Sequence, residues 1–399
     1  WDASRYFEPE SDAIGKIYAK WGGFIDKPYD FDSLFFRLSP RDAEWVDPQQ
    51  RLLLETTWEA LESAGYAGAL QESKTGVFVA ASYSHYRDQN VDDDIQTPAG
   101  LGNLNAILAN RISYFFNFKG PSLTVDTLCS SSLVALNIAV QNLRAGICQQ
   151  AVVSGVHVDM SPRYYQMACR LRAFSPSGRC HSFGRQADGF VPGEGCASIL
   201  LKPLKNAVED GDNILGVIKG TAVNHGGQGS GLTVPRASEQ ANLIRSALED
   251  ASLNARSISY IEAHGTGTAL GDPIEVAALN EVFTQAATPL QQCAIGTIKT
   301  NIGHLEPAAG MAGLIKVLLS LKHKQLPPSL VNSEVNPAIQ FEDTPFYLND
   351  RLNKWESSDG IMRAGISSFG MGGVNAHVIV EQPPHINPVE NNESRSEQL

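Results

Sequence analysis

The chain has 399 residues, 43% hydrophobic and 19% charged, a globular balance that calls for two structural halves or one large α/β unit. Lys and Arg total 31 against 43 Asp and Glu, a formal charge of -12, and no basic run stands out, so nucleic-acid binding through phosphate neutralisation is disfavoured. No stretch of about 18 apolar residues occurs, and WDASRYFEPE has neither a basic n-region nor an apolar h-region, so membrane spanning and secretion are disfavoured too.

The predicted elements begin with a helix over residues 47–65. Asp47 can cap it, Pro48 suits its first position, Leu54, Trp58 and Leu61 share a face, and Gly65 can end it. Short apolar runs follow at residues 77–80, 123–125, 151–158, 198–201, 215–223 and 258–263, and read as strands buried on both faces. Amphipathic helices lie among and after them. One is marked by Leu133, Leu136, Val140 and Leu143, a second by Leu243, Ile244, Ala247, Leu248 and Ala251, and a third by Leu314, Val317, Leu318 and Leu321. Strands interleaved with helices predict an α/β layered fold. The polar, turn-forming segment 202–212 is a natural midpoint, with strand, Gly- or Ser-rich turn and helix recurring on each side. The expected division is therefore 1–205 and 206–385, followed by a disordered linker over 386–399, where almost nothing apolar remains.

Six cysteines (Cys129, Cys148, Cys169, Cys180, Cys196 and Cys293) include no C-x-x-C pair, which fits a reduced, cytoplasmic protein without a zinc ribbon or dithiol motif. Cys129 stands apart. In PSLTVDTLCSSSLVALNIAVQNLRAG a strand-like run leads to the thiol and a helix starts just after it, so the helix end should lower the thiol pKa and favour a nucleophilic thiolate. A small buried cysteine in a tight turn fits the same letters.

Three further loops carry chemistry. YIEAHGTGTALGDP places His264 after a strand, with Thr266 and Thr268 in a glycine-rich turn; it lacks the Lys-Ser/Thr ending of a P-loop and the spacing of a dinucleotide fingerprint. IGTIKTNIGHLEPAAGMAGLIKV groups Lys299, His304 and Glu306 between a strand and a helix. No H-x-x-x-H spacing is present, so acid/base or electrostatic roles fit these histidines better than metal ligation. In GISSFGMGGVNAHVIVE the glycines around Met371 would either serve a tight hairpin or aim a backbone N–H into a cavity as an oxyanion donor.

Together, DTLCSSS, EAHGTGT, TIKTNIGHLE and SFGMGGVNAH resemble, in order and spacing, the β-ketoacyl synthase domains of modular polyketide synthases. The similarity runs from Trp1 to about Gln382, and VPGEG with VNHGG…GLTVP is closer to synthases served by a separate acyltransferase. The resemblance implies a thiolase fold, two similar halves in α-β-α-β-α layers, forming a homodimer. It also implies a ketosynthase reaction, with the growing acyl chain passing from the phosphopantetheine arm of an acyl carrier protein to Cys129. Decarboxylation of a malonyl unit on a carrier protein then gives the enolate that attacks the acyl group. On this reading His264 and His304 assist decarboxylation, Lys299 and Glu306 hold the constellation, and Thr266 and Thr268 contact the arm. The N–H groups of Cys129 and Met371 form the oxyanion hole, while Leu128, Phe369 and Met371 border the substrate. No bound cofactor or metal takes part.

Leu128 stands where the family more often has Ala, and Met371 where it commonly has a gating Phe, so the acyl pocket should differ from the usual one. A family member would have a first strand and helix before Trp1, so a trimmed piece of a larger synthase is expected. A non-elongating transacylating domain usually lacks the counterpart of His304, and a silent chain-length partner lacks the counterpart of Cys129. A thiolase using coenzyme A fits the HGTGT and NIGH wording poorly, whereas a branch-forming ketosynthase shares all of these residues.

Overall fold

A computed structural model describes residues 1–10, 13–88, 97–331 and 334–384 of the chain; the linker expected over 386–399 lies outside them. In chain order the strands are β1 Thr75–Ala80, β2 Ser122–Val125, β3 Gln150–His157, β4 Gly195–Leu201, β5 Val217–His225 and β6 Tyr260–Glu262. They continue with β7 Cys293–Gly296, β8 Gln325–Leu326, β9 Phe346–Leu348, β10 Asn353–Lys354, β11 Arg363–Phe369 and β12 Val374–Glu381. The first sheet has the order β2-β1-β3-β4, parallel except that β4 runs against β3. The second has the order β5-β12-β11-β6-β7-β9, in which β7, β6 and β11 are parallel and β12 runs against β11. Followed from β2 and from β7, the two sheets repeat the same order and directions. The duplication is thus legible in topology although no repeat is legible in the letters.

The helices Ser131–Arg144 and Ala309–His323 lie between the two sheets and share one core with both. Pro48–Ser63 and Asn105–Phe116 cover the outer face of the first sheet, and Ala237–Asp250 and Gly271–Gln285 that of the second. The result is the expected α-β-α-β-α stack. Both central helices start directly after a strand-to-helix loop, so the end of β2 and the end of β7 deliver their loops to the same central space.

The expectation of strands buried on both faces holds for β1, β3 and β6. It fails at β2, β4 and β5, which are only partly buried because each lies at a sheet edge. Beside β12 the edge position is taken by β5. Beside β4 a groove of about 470 Å³ opens among the described residues, lined by Ala60, Leu200, Ile218, Leu314 and Val380.

The central helices touch where Gly310 faces the start of its partner. A Cβ on Gly310 would stand 2.6 Å from Leu133 Cγ and 2.8 Å from Ser132 Oγ. The Met311 N–H donates to Ser132 Oγ at 3.0 Å across the same contact. Gly310→Ala is therefore expected to destabilise the protein by about 1–3 kcal/mol through overpacking. The check is the urea midpoint at unchanged m-value.

Candidate active site

Cys129 is held by a strained turn. Leu128 lies in the left-handed region with φ +59°, a conformation that costs a non-glycine residue about 1–3 kcal/mol and persists only where its surroundings enforce it. The enforcing contacts are the Leu128 N–H donating to Asp126 Oδ1 at 3.0 Å and the Ser131 N–H and hydroxyl donating to Leu128 O. Ser368 Oγ donates to the Cys129 carbonyl at 2.7 Å, tying the turn to β11 in the other half. The thiol emerges into the space between the halves, 8% exposed, with the Met371 N–H directed at its sulfur. The glycine-flanked turn is thus both a tight hairpin and an N–H donor to the cavity.

The expected lowering of the thiol pKa is not what the site does. Burial and then the Glu306 carboxylate push Cys129 well above its ordinary value, with Lys299 and the Met371 N–H acting the other way. The helix end is in place, since the helix starts at Ser131. What the sequence concealed is that Glu306 Oε2 lies 3.5 Å from Cys129 Sγ, as acceptor of the thiol proton.

The two histidines meet with ring centroids 5.5 Å apart and planes at 85°, and a ring nitrogen of His304 lies within 4.8 Å of the Cys129 sulfur. His304 is fully buried and His264 partly so. Each Nδ1 accepts a backbone N–H, from Phe369 to His264 at 3.3 Å and from Glu306 to His304 at 2.9 Å. Those bonds place the proton of each neutral ring on Nε2. Burial, then Lys299, holds both rings well below the usual imidazole pKa, so they are neutral N–H donors at pH 7. His304 Nε2 is buried with no partner among the described residues, a donor awaiting an acceptor. Lys299 is 4% exposed, and burial lowers its pKa against the pull of Glu262 and Glu275.

Cys129, His264, His304, Lys299, Glu306, Phe369 and Met371 thus gather at one place. Leu128 directly precedes Cys129, and Phe369 packs 5.5 Å from the His264 ring. Thr266 and Thr268 stand on the loop after His264 with their hydroxyls 3.2 Å apart, and neither is bonded to the sulfur or the imidazoles.

Sequence reasoning missed the groups that shape these loops. Glu275 accepts the N–H groups of His264 and Gly265, and Asp272 those of Gly267 and Phe183. Both carboxylates are buried in the first turns of a helix, and burial raises both pKa values. The available signal was GDPIE, acidic residues opening a helix right after a glycine-rich turn. Tyr164, which donates to Glu306 Oε1, and the buried His157 and Asp159 left no such mark.

Residues 1–207 match the family described as "Beta-ketoacyl synthase, N-terminal domain" and residues 215–332 its "C-terminal domain". Residues 336–399 match "Ketoacyl-synthetase C-terminal extension". The chain is 47% identical over 401 residues to polyketide synthase PksL of Bacillus subtilis, covering 96% of this chain and 9% of that protein. It is 48% identical over 386 residues to polyketide synthase ThaG of Burkholderia thailandensis, covering 96% and 7%. It therefore spans less than a tenth of these relatives' length. Among solved structures, the ketosynthase from module 6 of the B. subtilis bacillaene synthase superposes with TM-score 0.89 at 41% identity, covering 96% of this chain and 66% of that one. An oxazolomycin ketosynthase domain from Streptomyces albus gives TM-score 0.90 at 44% identity, covering 97% and 69%. These neighbours share the layered architecture described above, the thiolase fold. The chain belongs to the β-ketoacyl synthase family, as a ketosynthase domain of the modular polyketide synthase type.

Proposed function

We propose that this chain is an elongating ketosynthase. It takes an acyl chain from the phosphopantetheine arm of an acyl carrier protein onto Cys129 and condenses it with malonyl-carrier protein to a β-ketoacyl thioester. The observation that carries the reading is the tautomer lock: the two adjacent imidazoles each accept a backbone N–H at Nδ1 and so carry their own N–H donors on Nε2. Such a pair stabilises negative charge on a thioester oxygen as malonyl loses CO2, because donors fixed in a dry site need no reorganisation. The enolate carbon then attacks the acyl carbonyl on Cys129, whose oxygen is met by the Cys129 and Met371 N–H groups. The C–S bond breaks and the thiol is regenerated. Water exclusion protects the acyl-enzyme and the enolate from side reactions.

In this reading Lys299 and Glu306 set the electrostatics, Thr266 and Thr268 contact the arm, and Leu128, Phe369 and Met371 border the acyl chain. The substrate arrives on the carrier protein, and no bound cofactor takes part. The test is incubation with acyl thioesters and malonyl-carrier protein, following enzyme mass and product. Acyl-enzyme followed by a chain extended by two carbons is expected; acylation without any condensation would select the non-elongating alternative.

Several wider features belong to the same proposal. The halves are 1–205 and 206–385, supported by β4 and β5 lying in different sheets. The wording of VPGEG and VNHGG favours a separate acyltransferase, and the relatives' length favours neighbouring domains in a larger synthase. Six free cysteines, together with the finding that no helix among the described residues is long and apolar enough to cross a membrane, support a cytoplasmic place.

A homodimer would form across the outer edge of β2, where Leu123 is 47% and Tyr114 88% exposed; an unpaired edge strand is a ready pairing surface. Leu123→Asp should convert the dimer to monomer in sedimentation velocity. Persistence of the wild-type sedimentation coefficient would place the interface elsewhere.

A further inference from the structure

The Glu306 carboxylate is bound at both ends. Oε2 lies 3.5 Å from Cys129 Sγ, and Oε1 accepts the Tyr164 hydroxyl. The residue is 4% exposed with φ +49°, so its backbone conformation too is enforced by its surroundings. Its own N–H is spent on His304 Nδ1. Every handle on Glu306 therefore directs one carboxylate oxygen at the nucleophile.

The groups facing that carboxylate come from several elements. His157 stands on β3 with no exposure, its Nε2 3.4 Å from Asp159 Oδ1. Tyr164 comes from the Pro162–Arg170 helix, and Tyr83, just after β1, packs 5.0 Å from it. The Glu194 carboxylate accepts the Asp159 N–H at 2.9 Å, and Lys299 and His304 approach from the β7 loop. These groups line one polar chamber around the Glu306 carboxylate, in which His157 Nε2 and Asp159 Oδ1 face each other as a buried ion pair and His157 Nδ1 lacks a hydrogen-bond partner among the described residues.

We propose that Glu306 is the proton acceptor for Cys129 during acyl loading, and that Tyr164 is the positioning residue that holds its carboxylate for the task. The inference rests on the ketosynthase reading above. As Cys129 Sγ forms its bond to the thioester carbonyl carbon, the thiol proton passes to Glu306 Oε2. On collapse, the carbonyl carbon's bond to the arm's sulfur breaks, and that sulfur leaves with the same proton. Glu306 ends as it began, and no other reagent is consumed. The acceptor is already in contact with the thiol, 3.5 Å from Sγ, so loading does not depend on a thiolate formed before the thioester arrives.

Burial is the main influence raising Glu306 above the usual carboxylate range, opposed chiefly by His157, the Tyr164 hydrogen bond and Cys129. Only the ionised carboxylate accepts a proton, so loading should fall as pH drops through this raised value.

The test is single-turnover acylation by a simple acyl thioester, read by protein mass from about pH 5 to 9 in wild type, Glu306→Gln and Tyr164→Phe. In Glu306→Gln, loading should slow by about 10²–10⁴-fold, the usual worth of a general base, and its rate should climb with pH as the thiol ionises. In Tyr164→Phe, the maximal loading rate should fall about tenfold at an unchanged half-saturating thioester concentration, with the acid limb moved to higher pH because the ionised carboxylate has lost a donor. Glu306→Gln loading at the wild-type rate and pH profile overturns the proposal. So does a Tyr164→Phe acid limb that stays where wild type has it, which also serves if Glu306→Gln does not fold. A wild-type protein that never loads acyl groups would instead overturn the ketosynthase reading itself.

Discussion

Replacing His304 with alanine is expected to leave acyl loading of Cys129 within a few-fold of wild type and to slow condensation by about 10²–10³-fold or more. The separation follows from which atom each step uses. In the reaction proposed above, loading uses the sulfur, an acceptor for its proton and the Cys129 and Met371 N–H groups, none of which His304 supplies directly. Decarboxylation needs a donor for a thioester oxygen as it gains charge, and His304 Nε2 is a buried donor with no partner among the described residues. The companion variant Cys129→Ala should acquire no acyl mass at all. The check is intact-protein mass after an acyl thioester, followed by product formation on adding malonyl-carrier protein. Acyl mass on Cys129→Ala would mean that another nucleophile takes the chain. Condensation by His304→Ala at the wild-type rate would remove His304 from the chemistry.

The four loops that meet in the centre were legible because each interrupts an apolar strand with small residues around one reactive side chain, as at Cys129, His264 and His304. Their convergence was not legible. Cys129 and Glu306 are 177 positions apart and become neighbours only because the two halves repeat one topology and turn their central helices toward each other. For the same reason the direction of the thiol shift was misread. A helix end can be inferred from its own letters, whereas burial and a carboxylate from the other half cannot. Asp272 and Glu275 look like ordinary helix-opening acids and prove to be buried acceptors of backbone N–H groups. Edge strands were misread too, because an apolar run carries no sign of whether a neighbour pairs with both its sides.

The largest stability loss from one side chain is expected at Lys316, on the buried face of the second central helix. Its Nζ lies 2.7 Å from Glu262 Oε2, with the two side chains only 5% and 2% exposed. Glu262 also accepts the Tyr260 hydroxyl and the Ile298 N–H, each at 2.6 Å. One carboxylate at the end of β6 thus braces the loop that leads to His264 and the loop that leads to Lys299. Taking both charges out of water is costly, so the intact pair need not favour folding over a well-packed apolar pair. Removing one partner is different, because the carboxylate then stays buried without its cation. Lys316→Met, similar in volume, should therefore lower stability by about 3–5 kcal/mol, whereas Lys316→Met with Glu262→Gln should recover part of the loss. Urea unfolding of the two variants and of Glu262→Gln closes the cycle. If Lys316→Met unfolds at the wild-type midpoint, Glu262 is not paired in the folded protein. If it is destabilised but the double variant is no better than the sum of the singles, the loss comes from packing around the helix rather than from the uncompensated charge.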